Sequence, residues 1–225
     1  ESSALVGNRL YFFGSSILEQ ARDNIYLDVT LSTLNTTSPS CTPNISGLIP
    51  LSRKQFQAVD DTNGKIYMFG GITPNSSSRD NIFDDIYILD TLILAWKQGS
   101  NFHPPTPRVD FTATLLNNGL ILYIGGTIGH VASIYMSAIP TYNTNNNSWG
   151  AMSATGDVLN SRSCHTAVLS PDGHVIIYGG NIDGTTDQSQ VLASLDTTVS
   201  PYKWSIKPMI GDNVPPSLAF HSANV

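Results

Sequence analysis

Residues 173–183 read GHVIIYGGNID. An apolar, β-forming run ends in Gly179-Gly180 and opens into a polar loop. A strand that runs into glycines can be a phosphate-binding turn, with backbone N–H groups aimed at a nucleotide. It can also be architectural. The neighbouring sequence separates these readings, because the pair recurs.

Gly70-Gly71, Gly125-Gly126 and Gly179-Gly180 are spaced by 55 and 54 residues, and each closes an apolar run: KIYMFGG, LILYIGG, VIIYGG. RLYFFGS, ending at Gly14-Ser15, is a weaker copy one period upstream. Gly7-Asn8, Asn63-Gly64, Asn118-Gly119 and Asp172-Gly173 precede these runs. Such dipeptides predict type I′ hairpin turns, in which both central residues take positive φ. Upstream of three of the turns stand Arg53, Arg108 and Arg162, each followed three residues later by Phe56, Phe111 or His165. Downstream, a second apolar stretch ends at Asp28, Asp90, Asn143 or Asp196, and Trp96, Trp149 and Trp204 follow in three copies.

Each unit therefore reads as four short strands: a hairpin, a third strand ending at the acid or amide, and a fourth around Trp. No stretch holds an apolar period of 3.6, so few helices are expected. The continuous runs LILYI and VIIY predict strands buried on both faces. Four-stranded units at this period are the mark of a β-propeller with one unit per blade. The expected fold class is thus all-β: a single region over 1–225 with blades at about 1–52, 53–107, 108–161 and 162–216. Residues 217–225 begin a further blade or close the ring. LAFHSANV places His221 where His165 stands in the fourth repeat. Membership of a longer, six- or seven-bladed propeller is the favoured expectation.

Together these marks resemble the kelch repeat, over nearly the whole chain. The pattern is similar to that of fungal secreted or membrane-anchored kelch proteins, often described as galactose-oxidase-like for their shared architecture. The resemblance implies a propeller fold; the chemistry of any site must be argued separately.

Composition narrows the partners. Only 12% of residues are charged, where roughly a quarter is usual. The net charge is −6 and the 11 basic residues are dispersed, which argues against nucleic acid. No apolar run reaches the ~18 residues of a membrane span. Cys41 and Cys164 allow one bridge or two free thiols. Sequons at Asn35, Asn44, Asn75 and Asn146 permit an extracellular or cell-surface location, with cytoplasm as the alternative.

Candidate chemistry is sparse. No Gly-Lys-Ser/Thr or helix pattern follows Gly180, so the glycine pairs are assigned to blade packing, beneath the blade's aromatic residues. A copper-radical oxidase, which the galactose-oxidase likeness brings to mind, needs two His ligands, an axial Tyr and a Tyr–Cys cross-link. His103, His130, His165, His174 and His221 form no such set with a Tyr, and neither Cys41 nor Cys164 completes it. Glu19 and Asp23 resemble part of the iron-binding loop of plant kelch specifier proteins, but Leu27 stands where its His belongs. No catalytic residue, metal or cofactor is assigned.

Arg53, Arg108 and Arg162 are the candidate ligand-facing charges, because in kelch proteins the first strand lines the central channel. The competing role is to brace each blade by hydrogen bonds to loop carbonyls or an Asp. The connections 72–85, 127–139 and 181–190 are candidate recognition loops on a rigid scaffold. The leading function is a non-catalytic scaffold that binds a protein or glycan. An oxidase and a purely structural ectodomain are the alternatives.

Overall fold

The computed structural model describes residues 2–14, 24–28, 45–74, 81–129, 132–182, 190–211 and 213–223. The chain divides into two compact units, Glu1–Val109 and Asp110–Val225, and no α-helix occurs among the described residues.

In unit 1, β1 (Ser2–Val6), β2 (Arg9–Phe13) and β3 (Asn24–Asp28) form an antiparallel sheet in chain order. The next strands are β4 (Ser46–Gly47), β5 (Ala58–Asp60), β6 (Lys65–Phe69), β7 (Ile86–Asp90) and β8 (Ala95–Gln98). They form a five-stranded sheet in the order β4-β8-β7-β6-β5. Strands β5 to β8 are the expected quartet of repeat 2. The extra strand, β4, comes from the tail of repeat 1 and runs parallel to β8, pairing Gly47 with Trp96.

Unit 2 contains β9 (Thr112–Leu115), β10 (Leu120–Ile124), β11 (Thr127–Ile128), β12 (Ala132–Ser133), β13 (Ala138–Asn143), β14 (Ser148–Gly156), β15 (Arg162–Ser163), β16 (Thr166–Leu169), β17 (His174–Tyr178), β18 (Asn181–Ile182), β19 (Leu192–Asp196) and β20 (Tyr202–Ile206). The quartets β9, β10, β13, β14 and β16, β17, β19, β20 are repeats 3 and 4. They join into one eight-stranded sheet, because the end of β14 runs parallel to β20 and pairs Gly156 with Trp204. Hydrogen-bonded sheets therefore cross the expected boundaries at 52/53 and 161/162. The tail of one repeat completes the outer edge of the next.

The core follows the strand pattern. In β6 and β10, Ile66–Phe69 and Ile121–Ile124 are buried without a break, so both faces are covered as the continuous apolar runs predict. The prediction fails for β17. Val175 and Ile177 are buried, but Ile176 is 37% exposed. Val175 and Ile177 join Leu122, Ile124, Leu195 and Trp204 in one cluster that packs repeat 3 against repeat 4. Ile176 lies on the opposite face of the pleat, and no buried cluster of described residues includes it.

Candidate functional site: the loop end of each blade

Repeats 2, 3 and 4 each have two unlike ends. At one end, both turns are short and latched to each other. Thr91 Oγ1 donates to the Gly64 carbonyl at 2.7 Å, Thr144 Oγ1 to Gly119 at 2.9 Å, and Thr197 Oγ1 to Gly173 at 2.7 Å. The backbone N–H of each Thr donates to the same carbonyl. The acid or amide before each Thr closes the following turn. Asp90 accepts from the N–H of Leu92, Asn143 from that of Asn145, and Asp196 from that of Thr198. These repeat marks are therefore turn caps. For Asp28 the structure gives the backbone, which pairs with Arg9.

The Asn-Gly turns correct the type I′ expectation. Gly64, Gly119 and Gly173 have positive φ, while Asn63, Asn118 and Asp172 do not. In repeat 2, Gly64 N–H bonds the Asp61 carbonyl and Asp61 N–H bonds that of Lys65; repeats 3 and 4 match. That is a type I turn closed by a left-handed glycine, the three-residue hairpin loop. Its glycine requirement is the same, which is why the dipeptide located the turns correctly.

The other end carries the arginines, the glycine pairs and the long connections. Gly71 N–H donates to the Arg108 carbonyl at 3.0 Å, Gly126 N–H to that of Arg162 at 2.9 Å, and Gly180 N–H to that of Leu218 at 2.7 Å. Each pair thus latches its blade to the first segment of the following repeat. All six glycines have positive φ. A Cβ on Gly125 would lie 2.6 Å from the Arg162 carbonyl oxygen, and one on Gly71 would lie 2.8 Å from that of Lys54. The expectation of aromatic packing is refined accordingly: backbone carbonyls, with Phe56 or His165 beside them, make the close approach. The three tryptophans do not share one environment. Trp96 and Trp204 are buried, and Trp204 Nε1 donates to the Met136 carbonyl at 2.9 Å. Trp149 is half-buried and packs edge-on against Tyr142.

The candidate ligand-facing arginines are all at most 3% exposed. Arg53 donates through Nη1 to Asp85 at 2.6 Å and to the Gly70 carbonyl at 3.1 Å, and through Nε to Leu51. Its guanidinium lies 4.0 Å from the Phe83 ring centre. Arg108 Nε donates to the Thr106 carbonyl. Arg162 donates to the Gly179 and Gln190 carbonyls at 3.3 and 2.8 Å. Burial pushes its pKa down to about 10. The donors of Arg53 and Arg162 turn onto loop carbonyls and Asp85, which is the bracing role weighed for them. Arg53 and Arg162 clamp the second-to-third connection of their blades to the segment entering the first strand.

Two features of this end went unread in the sequence. Gln55, Asp110, Cys164 and Phe220 each lie two residues past the arginine position and all have φ between 57° and 60°. In unit 2 their backbones form a chain, Cys164 N–H to Asp110 carbonyl and Phe220 N–H to Cys164 carbonyl. Only Asp110 is of a type enriched at positive φ, so the residue types scarcely announce the conformation. The second is Gly47 and Gly156, each six residues before an arginine. A Cβ on either would collide with the carbonyl oxygen of Trp96 or Trp204. That shared six-residue spacing was visible in the sequence.

Ligand chemistry is thin. Among the described residues no group of three or more His, Cys, Asp or Glu is placed to hold a metal. His103 stacks on Phe102, while His165 and His221 contact Thr112 and Thr166 at 3.0 Å. Burial raises the Cys164 thiol to about 11. Glu19, Asp23, Asn35, Cys41, Asn44, Asn75, His130 and the loop stretches 75–80, 130–131 and 183–189 lie outside the described residues. Among the side chains exposed at the loop end are large apolar ones: Leu48, Ile49, Leu51 and Phe102 in unit 1, and Tyr135 and Val158 in unit 2.

A family model, the KLHDC2/KLHL20/DRC7 Kelch-repeats domain, matches residues 1–225. The chain belongs to the kelch-repeat family. Its fold is accordingly the kelch-type β-propeller, and kelch repeats generally serve as non-catalytic protein-interaction domains. Kelch domain-containing protein 3 of Mus musculus is 30% identical over 62% of this chain and 37% of its own length. Acyl-CoA-binding domain-containing protein 5 of Arabidopsis thaliana is 25% identical over 75% of this chain and 24% of its length. Host cell factor homolog hcf-1 of Caenorhabditis elegans is 26% identical over 64% and 20%. The kelch chain therefore matches only a minor part of each of these relatives.

Proposed function

We propose that this kelch chain is a non-catalytic scaffold that binds a protein partner at the loop end of its blades. The observation that carries this reading is the division of labour between the ends. Thr91, Thr144 and Thr197 close the short turns, and the arginines and glycine pairs are spent inside the sheet connections. The residues left outward at the loop end differ from repeat to repeat and include large apolar side chains. Leu51 is 68% and Val158 85% exposed. A surface of this kind gains from apolar burial against a protein. It favours protein over glycan, which is recognised chiefly through hydrogen bonds. We also place the chain outside the cell or at its surface, a reading supported by Asn146, an exposed sequon asparagine in the β13–β14 turn.

Photo-crosslinking decides the binding reading. A photoreactive residue at Leu51 or Val158 is expected to capture the partner, whereas one at Leu92, which is exposed in the opposite, short-turn end, is not. Equal capture from Leu92 would sink the proposal.

A further inference from the structure

His165 occupies a position that two other repeats fill with Phe56 and Phe111. Its ring is buried in unit 2, 5% exposed, where repeats 3 and 4 meet. Nε2 lies 3.0 Å from Thr112 Oγ1, and Cε1 would touch a Cβ on Gly125 at 2.8 Å. A neutral imidazole carries one N–H, and an imidazolium carries two that each need an acceptor. Among the described residues the site serves one nitrogen only: Nδ1 is buried and has no hydrogen-bond partner there. The charges acting on the ring are also unfavourable. Arg162 lies three residues earlier on the same segment, and His221 comes from the 217–223 segment packed against it. Asp110, on the approach to β9, acts on Cys164. Burial, Arg162 and His221 together hold His165 at about 3.

We propose that the His165 junction is an acid-operated catch, in which the neutral ring closes repeat 3 against repeat 4 and its protonation releases them. The sign follows from linkage. An opened or unfolded His titrates near 6.5 and so binds more protons than the closed form whenever the pH is below that value. The closed state is fully favoured above about pH 6.5 and loses ground as the pH falls toward 3. Between pH 7.5 and 5 this one group lowers the closed-to-open ratio about 30-fold. Opening would disrupt the neighbouring Gly126–Arg162 backbone bond and the loop-end surface at Tyr135 and Val158. Release of a partner in acid is the consequence, and that clause rests on the loop-end reading above.

The test needs no partner, so it stands or falls apart from that reading. Urea unfolding of the 225-residue chain at pH 7.5 and 5 is compared with His165→Gln and with His165→Phe, the residue type of repeats 2 and 3. The folding equilibrium of the unaltered chain is expected to fall about 30-fold more than that of either variant; an equal fall in all three overturns the catch. Because a substitution here also alters packing, the His165 ring is followed by NMR in the unaltered folded chain. A ring that stays neutral down to about pH 4 supports the catch, and a midpoint near 6.5 in the folded state overturns it.

Discussion

Repeats 2 and 4 hold the same arginine in two different ways. Arg53 in unit 1 meets a carboxylate, Asp85, and lies over Phe83. Arg162 in unit 2 meets only carbonyls among the described residues, and its Nε has no acceptor. The register explains the difference. Gly70 N–H bonds the Asp85 carbonyl and Gly179 N–H bonds that of Val191, so Val191 stands where Asp85 stands. The two repeats also differ three residues on, with Phe56 against His165. A common backbone frame thus holds an ion pair in one blade and, among the described residues, a desolvated cation on carbonyls alone in the other. Between these two repeats the shared part of the motif is the bond to the first glycine's carbonyl, and the described residues add a carboxylate in repeat 2.

The largest expected effect breaks that addition. Asp85→Ala leaves Arg53 buried without the Asp85 counter-charge and is expected to cost about 3 kcal/mol, read by urea unfolding followed through tryptophan fluorescence. A loss below about 1 kcal/mol would mean that carbonyl contacts suffice, as in repeat 4. The next effect tests the latch that both repeats share. Gly179→Ala puts a Cβ into the Leu218 carbonyl at a φ of 66°, whereas Gly7→Ala meets nothing within 4 Å at a φ of 57°. The first substitution is expected to cost about 3 kcal/mol and the second about 1 kcal/mol, since only the first adds a collision to the left-handed strain. Equal thermal shifts would reduce the glycine pair to a conformational role. The smallest effect concerns the short-turn end, where the repeats agree. Thr91→Val and Thr197→Val each remove one hydroxyl bond to a glycine carbonyl and are expected to cost about 1 kcal/mol apiece. A marked inequality in their melting curves would show that this end, too, differs between the units.

The candidate site was partly legible. Glycine pairs, Asn-Gly turns and Trp positions located the strands, because those residue types answer to backbone conformation and burial. The arginines were visible as marks, but their direction was not. Asp85 lies 32 residues from Arg53, and its turn inward depends on how β6 and β7 register. The left-handed residues Gln55, Cys164 and Phe220 gave no signal, since their side chains disfavour that conformation, and Asp110 alone among the four was not enough to reveal the pattern. Thr91, Thr144 and Thr197 could have been read, because each directly follows an acid or amide mark.

The sequence alone determined that this chain is built of four-stranded units of about 55 residues, because turn chemistry and apolar runs are local and recur. Tertiary structure alone decided that the tails at 46–47 and 154–156 complete the next repeat's sheet, that the arginines are buried, and that His165 finds no second acceptor among the described residues. Each of these depends on groups far apart in the chain, whose meeting is set by strand register and packing.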